Sequence, residues 1–224
     1  MKVKTDPSSG TIIDLWDHLE SMEREMRFDG KPYPKGMCQF PFRLTGQGFF
    51  PGGDGLWRDD NELGMEKDAI LPREGAVFIG NDFGTLNSYL RLRARNYENV
   101  PTWRHIKSRV RNAGVPSERT FFTNAILGLR EDGSALDKKS WQRMPAFSAF
   151  CGEFLRFQLK SIAPKLVVIM GPDASEAFDT FAKGNNKFET LYTTHPYADF
   201  GLSKERRSEE IERLSRAWKR AANE

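Results

Sequence analysis

Cysteine and histidine are scarce in this chain. Its two cysteines, Cys38 and Cys151, lie far apart in 224 residues and form no CxxC pair. That excludes a disulfide framework and a four-thiolate metal site within one chain. The three histidines, His18, His105 and His195, have no metal-ligand spacing, so neither a structural metal nor a cofactor is expected. No apolar run approaches the length that spans a bilayer. Residues Met1 to Gly10 carry no apolar stretch after their basic residues, unlike a secretory signal, so a cytoplasmic location is expected. A GxSxG elbow, a phosphate-binding P-loop and a GxGxxG fingerprint are all missing, which leaves serine-hydrolase, P-loop and dinucleotide-binding functions without support. There is no internal repeat and no low-complexity tract.

What is present suits a globular protein. Apolar residues make up 38% and charged residues 29%, close to the average for folded domains. The length is enough for one domain with a full core. The net charge of +3 permits binding to a phosphate backbone without demanding it.

The first 75 residues differ from the rest. Residues 11–27 have Ile12, Ile13, Leu15, Trp16, Leu19, Met22 and Met26 at helical spacing. Residues 28–75 hold many prolines and glycines, with aromatics at Phe40, Phe42, Phe49, Phe50 and Trp57. Residues 1–75 are expected to form an N-terminal extension, a helix plus this irregular region, packed on a single domain spanning residues 1–224, with the aromatic and glycine-rich loop from Phe49 to Trp57 placed to cover a pocket.

From Ala76 the pattern becomes regular. Four apolar runs, AVFIG (76–80), TFFTNAIL (120–127), KLVVIMG (165–171) and the weaker FETLYTTHP (188–196), alternate with helical patterns over 101–114, 147–162, 174–183 and 203–222. In the second helix Phe147, Phe150, Cys151, Phe154, Leu155 and Ile162 share a face; in the last, Ile211, Leu214 and Trp218 point inward. Continuous apolar strands between helices predict an α/β fold, a three-layer α/β/α sandwich on a central, mostly parallel four-stranded sheet. Ligands of such sheets bind at the carboxyl ends of the strands, so chemistry is expected just after each run.

The first run leads into Gly80-Asn81-Asp82-Phe83-Gly84. Alone, Asp82 reads most simply as a turn residue capping the next helix; the alternative is a general base or a stabiliser of a cationic transition state. Asn124 sits inside an apolar run, which is costly unless its amide is hydrogen-bonded. It either fixes a loop or reads a base edge, since one amide offers both a donor and an acceptor. Gly171-Pro172 is explained by a tight strand-to-helix turn. His195 precedes a proline, which restricts it to extended backbone; it is a surface-loop histidine or a donor to a leaving group. Each signal is weak alone, but three polar residues of different types at the ends of one predicted sheet can converge on one pocket.

Four segments, in order, resemble the uracil-DNA glycosylase superfamily. IGNDFG is similar to its first motif, best known as GQDPY, with Asn81 in place of glutamine and Asp82 matching the water-activating aspartate. FFTNAILGL resembles the strand whose asparagine reads uracil. CGEFLRFQLKSIAPKLVVIMGPDASEAF resembles a helix–strand–helix unit with a Pro-Lys pair before the strand. THPYADFGL is similar to the closing HPS motif and its DNA-inserting loop. The resemblance covers about residues 76–200.

It implies a DNA glycosylase, acting as a monomer on DNA, that hydrolyses the bond between a flipped-out base and its sugar. Asp82 and His195 would be catalytic. Gly80, Asn81, Phe83, Asn124 and Tyr197 would bind the base. Phe200 or Leu202 would insert into the duplex, with Arg91, Arg93, Arg104, Lys107, Arg206 and Arg207 as candidate phosphate contacts. Departures bear on the substrate. Gly84 stands where the best-known branch has a tyrosine, Tyr197 replaces a serine, and the usual stacking phenylalanine has no counterpart unless Phe83 or Tyr89 takes its part. The iron–sulfur branches use four cysteines, which this chain lacks. The expected base is uracil or a bulkier modified pyrimidine. A modified cytosine of phage DNA would imply antiviral defence; uracil would imply repair. Two alternatives remain open, a catalytically silent DNA- or nucleotide-binding module on the same fold and a hydrolase of small nucleosides or nucleotides.

Overall fold

The structure is a computed structural model that describes residues 10–28, 30–44, 46–50, 70–92, 100–134, 136, 139–182, 184, 187–196, 198 and 201–223. Six α-helices and two sheets are found among them. In chain order they are α1 (Ile12–Glu25), β1 (Met37–Cys38), β2 (Ala76–Asp82), α2 (Leu86–Arg91), α3 (Pro101–Asn112), β3 (Thr120–Ile126), β4 (Leu129–Arg130), α4 (Pro145–Ile162), β5 (Leu166–Met170), α5 (Pro172–Phe181), β6 (Glu189–Thr193) and α6 (Lys204–Asn223). No helix among the described residues is long and apolar enough to cross a membrane.

The main sheet has the order β3-β2-β5-β6 and every pairing in it is parallel. Its two inner strands, β2 and β5, carry the apolar runs Ala76–Ile79 and Leu166–Met170 because both faces of the sheet are covered there. Side chains alternate between the faces. Val77, Ile79, Phe121, Val167 and Ile169 join one core cluster with α1, α4 and α5. Ala76, Phe78, Phe122, Leu166 and Val168 join the other with α3 and α6. This is the expected three-layer α/β/α sandwich.

Boundaries shift in ways that matter for the ends of the strands. β2 runs on to Asp82, which pairs with Ile126, so Asn81 and Asp82 close the strand instead of lying in the turn beyond it. α5 starts at Pro172, two residues ahead of the expected start, because a proline fits the first helical position. Thr85 caps α2, its hydroxyl oxygen accepting from Ser88 N at 3.3 Å. The cap is thus Thr85, and the plainer reading of Asp82 as the capping residue does not hold.

The described part of the N-terminal region closes the sandwich on one side. Trp16 of α1 packs at 4.4 Å from Phe49 and 5.6 Å from Phe40, centroid to centroid, and its indole donates to Leu44 O at 2.8 Å. Residues 47–49 run beside β3. Phe122 N donates to Gln47 O at 2.9 Å and Phe49 N donates to Phe122 O at 3.1 Å. The backbone groups that β3 would leave open at the edge of the sheet are thus partly paired.

Glu23 anchors the same region. It is buried on α1 and accepts from Tyr33 OH at 2.8 Å and from Gln39 Nε2 at 2.7 Å. Burial raises its pKa above the ordinary 4.5, outweighing the two hydrogen bonds that lower it. A raised pKa in the folded state means that its contribution to stability is full below the ordinary value and is lost as pH rises through the raised one. Wild-type melting temperature is therefore expected to fall more than that of Glu23→Gln as pH rises above 4.5. Parallel pH profiles for the two proteins in thermal melts would contradict this.

Candidate active site at the strand ends

The carboxyl ends of all four main strands open into one cleft of about 470 Å³. β2 supplies Gly80, Asn81 and Asp82; β3 supplies Thr123 and Asn124. The turn after β5 supplies Gly171 and Pro172, and the segment after β6 supplies His195 and Pro196. Phe50 and Trp103 border it as well.

Asp82 is held from three sides. Its Oδ1 accepts from Gly84 N at 2.7 Å, a local turn closed by the side chain. Its Oδ2 accepts from Asn81 Nδ2 at 3.1 Å. Arg130 Nη2 stands 3.5 Å from Oδ1. Arg130 is itself fixed by backbone bonds: it pairs with Met37 of β1, and its N–H donates to Gly84 O at 2.9 Å. The carboxylate is oriented before any ligand arrives.

Asn124 lies across Gly80, its partner in the β2–β3 register. A Cβ on Gly80 would run into Asn124 Oδ1, so the glycine is what lets the amide lie in the cleft. Asn124 Nδ2 and Thr123 Oγ1 are buried and have no hydrogen-bond partner among the described residues. Buried donors of this kind are costly when left unpaired, and a bound polar group would satisfy them. Gly80→Ala is expected to keep the fold but lower stability by about 1–3 kcal/mol, the usual result of forcing extra volume into a packed site. Denaturant unfolding measures this, and an unchanged midpoint would mean that the amide moves aside without cost.

His195 rests on Gly171. That glycine has φ 92°, a conformation that L side chains rarely adopt, and a Cβ there would stand 3.0 Å from His195 Cβ. The Gly171-Pro172 pair thus makes the expected tight turn and also seats the histidine. His195 is exposed, and Ala198 N donates to its carbonyl at 2.8 Å.

Of the sequence-predicted residues, Gly80, Asn81, Asp82, Phe83, Asn124 and His195 line the cleft together. Phe83 does so from within the core. It is 1% exposed, its ring 4.8 Å from Phe40 and stacked at 5.5 Å on Phe50. Tyr89 is fully buried, with its hydroxyl donating to Phe49 O at 2.9 Å. Tyr89 does not line the cleft, and Phe83 reaches it with little exposed surface. Half-buried Phe50, stacked on Phe83 and 5.3 Å from Trp103, is the aromatic surface at the cleft. Arg91, Arg104, Arg206 and Arg207 are exposed on their helices, and Lys107 and Leu202 are half-buried; none lines the cleft. Tyr197, Phe200 and Arg93 lie outside the described residues.

Phe50 belongs to the Phe49–Trp57 loop expected to cover the pocket and does border the cleft, while residues 51–57 lie outside the described residues; sequence reasoning missed Thr123, Arg130 and Arg109. Arg109 left a readable signal: it falls on the helix face of Ile106 and Val110, where a charge is out of place, and it is 8% exposed. Arg130 left none, because the residues it joins are far apart in sequence. Among the described residues, no group of three His, Cys, Asp or Glu side chains is placed to hold a metal ion. No protein-family model matches the chain, and no curated protein matches it either.

Proposed function

We propose that this protein is a DNA glycosylase that hydrolyses the N-glycosidic bond of a base held in the strand-end cleft. The observation that carries the proposal is the convergence of Asp82, Asn124 and His195 on that cleft from three different strands. The base has to leave the stack to reach such a site. As the C1′–N bond breaks, its electron pair passes to the base and positive charge develops on the sugar. Asp82, oriented by Gly84, Asn81 and Arg130, stabilises that charge and directs a water to C1′. The water oxygen bonds to C1′ and its proton leaves to Asp82 or solvent. His195 donates a hydrogen bond to the departing base, which takes up a proton as it is released. Asn124 reads the base edge, and Phe50 supplies an aromatic face. DNA is the partner, and the chain acts as a monomer.

The cleft favours a base larger than uracil. Its volume lies in the range of small-molecule sites. Among the described residues, nothing lies within 4 Å of the position that a Cβ on Gly84 would occupy, so none of their side chains closes the rim there. An unfilled pocket discriminates poorly against larger substrates, and a modified cytosine of phage DNA would fit a role in defence.

Mass spectrometry of bases released from DNAs of defined composition tests both levels. Release from DNA carrying hydroxymethylated or glycosylated cytosine is expected. Cleavage of uracil alone would refute the larger substrate and keep the glycosylase. Release of base from free nucleosides but from no DNA would replace the glycosylase by a nucleoside hydrolase, and binding without release would mean a silent module.

A further inference from the structure

We infer that Arg109, a buried cation outside the cleft, is the positioning residue for His195. The inference rests on the proposal that His195 serves the leaving base. Arg109 projects from α3, and both ends of its guanidinium grip Thr194, the residue before the histidine. Nη1 donates to Thr194 O at 2.9 Å and Nη2 donates to Thr194 Oγ1 at 2.7 Å. A planar fork with two parallel bonds fixes orientation as well as distance.

The opposite side of Thr194 is tied to α6. Thr194 N donates to Glu210 Oε2 at 3.4 Å. Glu210 Oε1 is held by Arg213 Nη1 at 2.6 Å, and Arg213 Nη2 donates to Tyr192 O at 3.0 Å. The segment leaving β6 is therefore clamped between α3 and α6, just before the backbone delivers His195 to Gly171. This placement is costly for a merely structural residue. Desolvating a guanidinium carries a penalty that a core apolar side chain avoids, and two of its bonds go to the residue just before His195. A donor to a leaving group has to sit within a fraction of an ångström of its place, and displacement by about 1 Å can cost 10²-fold in rate. A rigid anchor one residue away meets that demand, while His195 itself stays exposed and able to meet DNA.

The test uses the full chain with Arg109→Met, Arg109→Lys and Thr194→Val, each alone and combined with His195→Ala. Single-turnover base release, DNA affinity and deuterium uptake of residues 190–198 are measured. Arg109→Met is expected to slow release by up to about 10²-fold with DNA affinity within a fewfold of wild type, and Arg109→Lys to recover part of the loss. In the His195→Ala background Arg109→Met is expected to add nothing. Losses that multiply in the double variant would overturn the inference, because Arg109 would then act without His195. If Arg109→Met does not fold, Thr194→Val in the same cycle decides the matter. If the wild type releases no base from any DNA, the glycosylase proposal falls by itself, and the clamp is judged by exchange and by the rate at which diethylpyrocarbonate modifies His195. Both are expected to rise in Arg109→Met, and unchanged values would overturn the clamp.

Discussion

Asp82→Asn is expected to lower the rate of base release by about 10²- to 10⁴-fold, the range for loss of a positioned acid–base or charge-stabilising group. The two side chains have the same shape, so the fold loses little. The new amide oxygen can still accept from Gly84 N, which now reaches Asp82 Oδ1 at 2.7 Å. What disappears is the negative charge beside the developing sugar cation. The new amide nitrogen also faces Asn81 Nδ2, a donor against a donor, where Asp82 Oδ2 had accepted at 3.1 Å. Thermal melts should therefore stay close to wild type and DNA binding should persist, while single-turnover release collapses. Release within a fewfold of wild type would remove Asp82 from the chemistry and leave it as the Asx turn that joins β2 to α2.

His195→Ala should act on the rate and spare the affinity. A hydrogen bond to the leaving base strengthens as negative charge builds, so its loss appears in the transition state, with removal of one such donor costing about 10²–10³-fold. The contact with Gly171 is made by His195 Cβ, which alanine keeps, and the clamp on Thr194 is made upstream by Arg109. The loop should therefore hold its course without the imidazole. Single-turnover rates at saturating protein, set beside equilibrium DNA binding, separate the two effects. A variant that binds weakly but cleaves at the wild-type rate once saturated would make His195 a DNA contact only.

The fold was legible because its central strands are buried on both faces, which leaves an unbroken apolar run in the sequence at each of them. The strand ends were legible for the complementary reason: Asp82, Asn124 and His195 are polar where such runs stop or are interrupted. What escaped were pairings set by distance in space. Residues 47–49 read as irregular, yet their backbone pairs with Phe122, and this brings Phe50 to the cleft beside Phe83. Arg130 looked like one arginine among many, since only the β1–β4 pairing and the Gly84 carbonyl turn it toward Asp82. Periodicity reports which face of an element is buried; it carries no information on which distant segment covers that face.

The pairing of residues 47–49 with β3 bears on how this protein can be divided. All of the motif resemblance lies beyond Ala76, which suggests that the first 70 residues could be cut away or exchanged. Such a cut would uncover the polar backbone of β3 at the sheet margin and strip Phe49 from Phe121 and Phe154, and Phe50 from Phe83 and Trp103. A bare strand edge beside exposed aromatics is a template for self-association. The shortened chain would meet copies of itself, so the segment that looks accessory and the segment that holds the strand ends have to be inherited, expressed and engineered together.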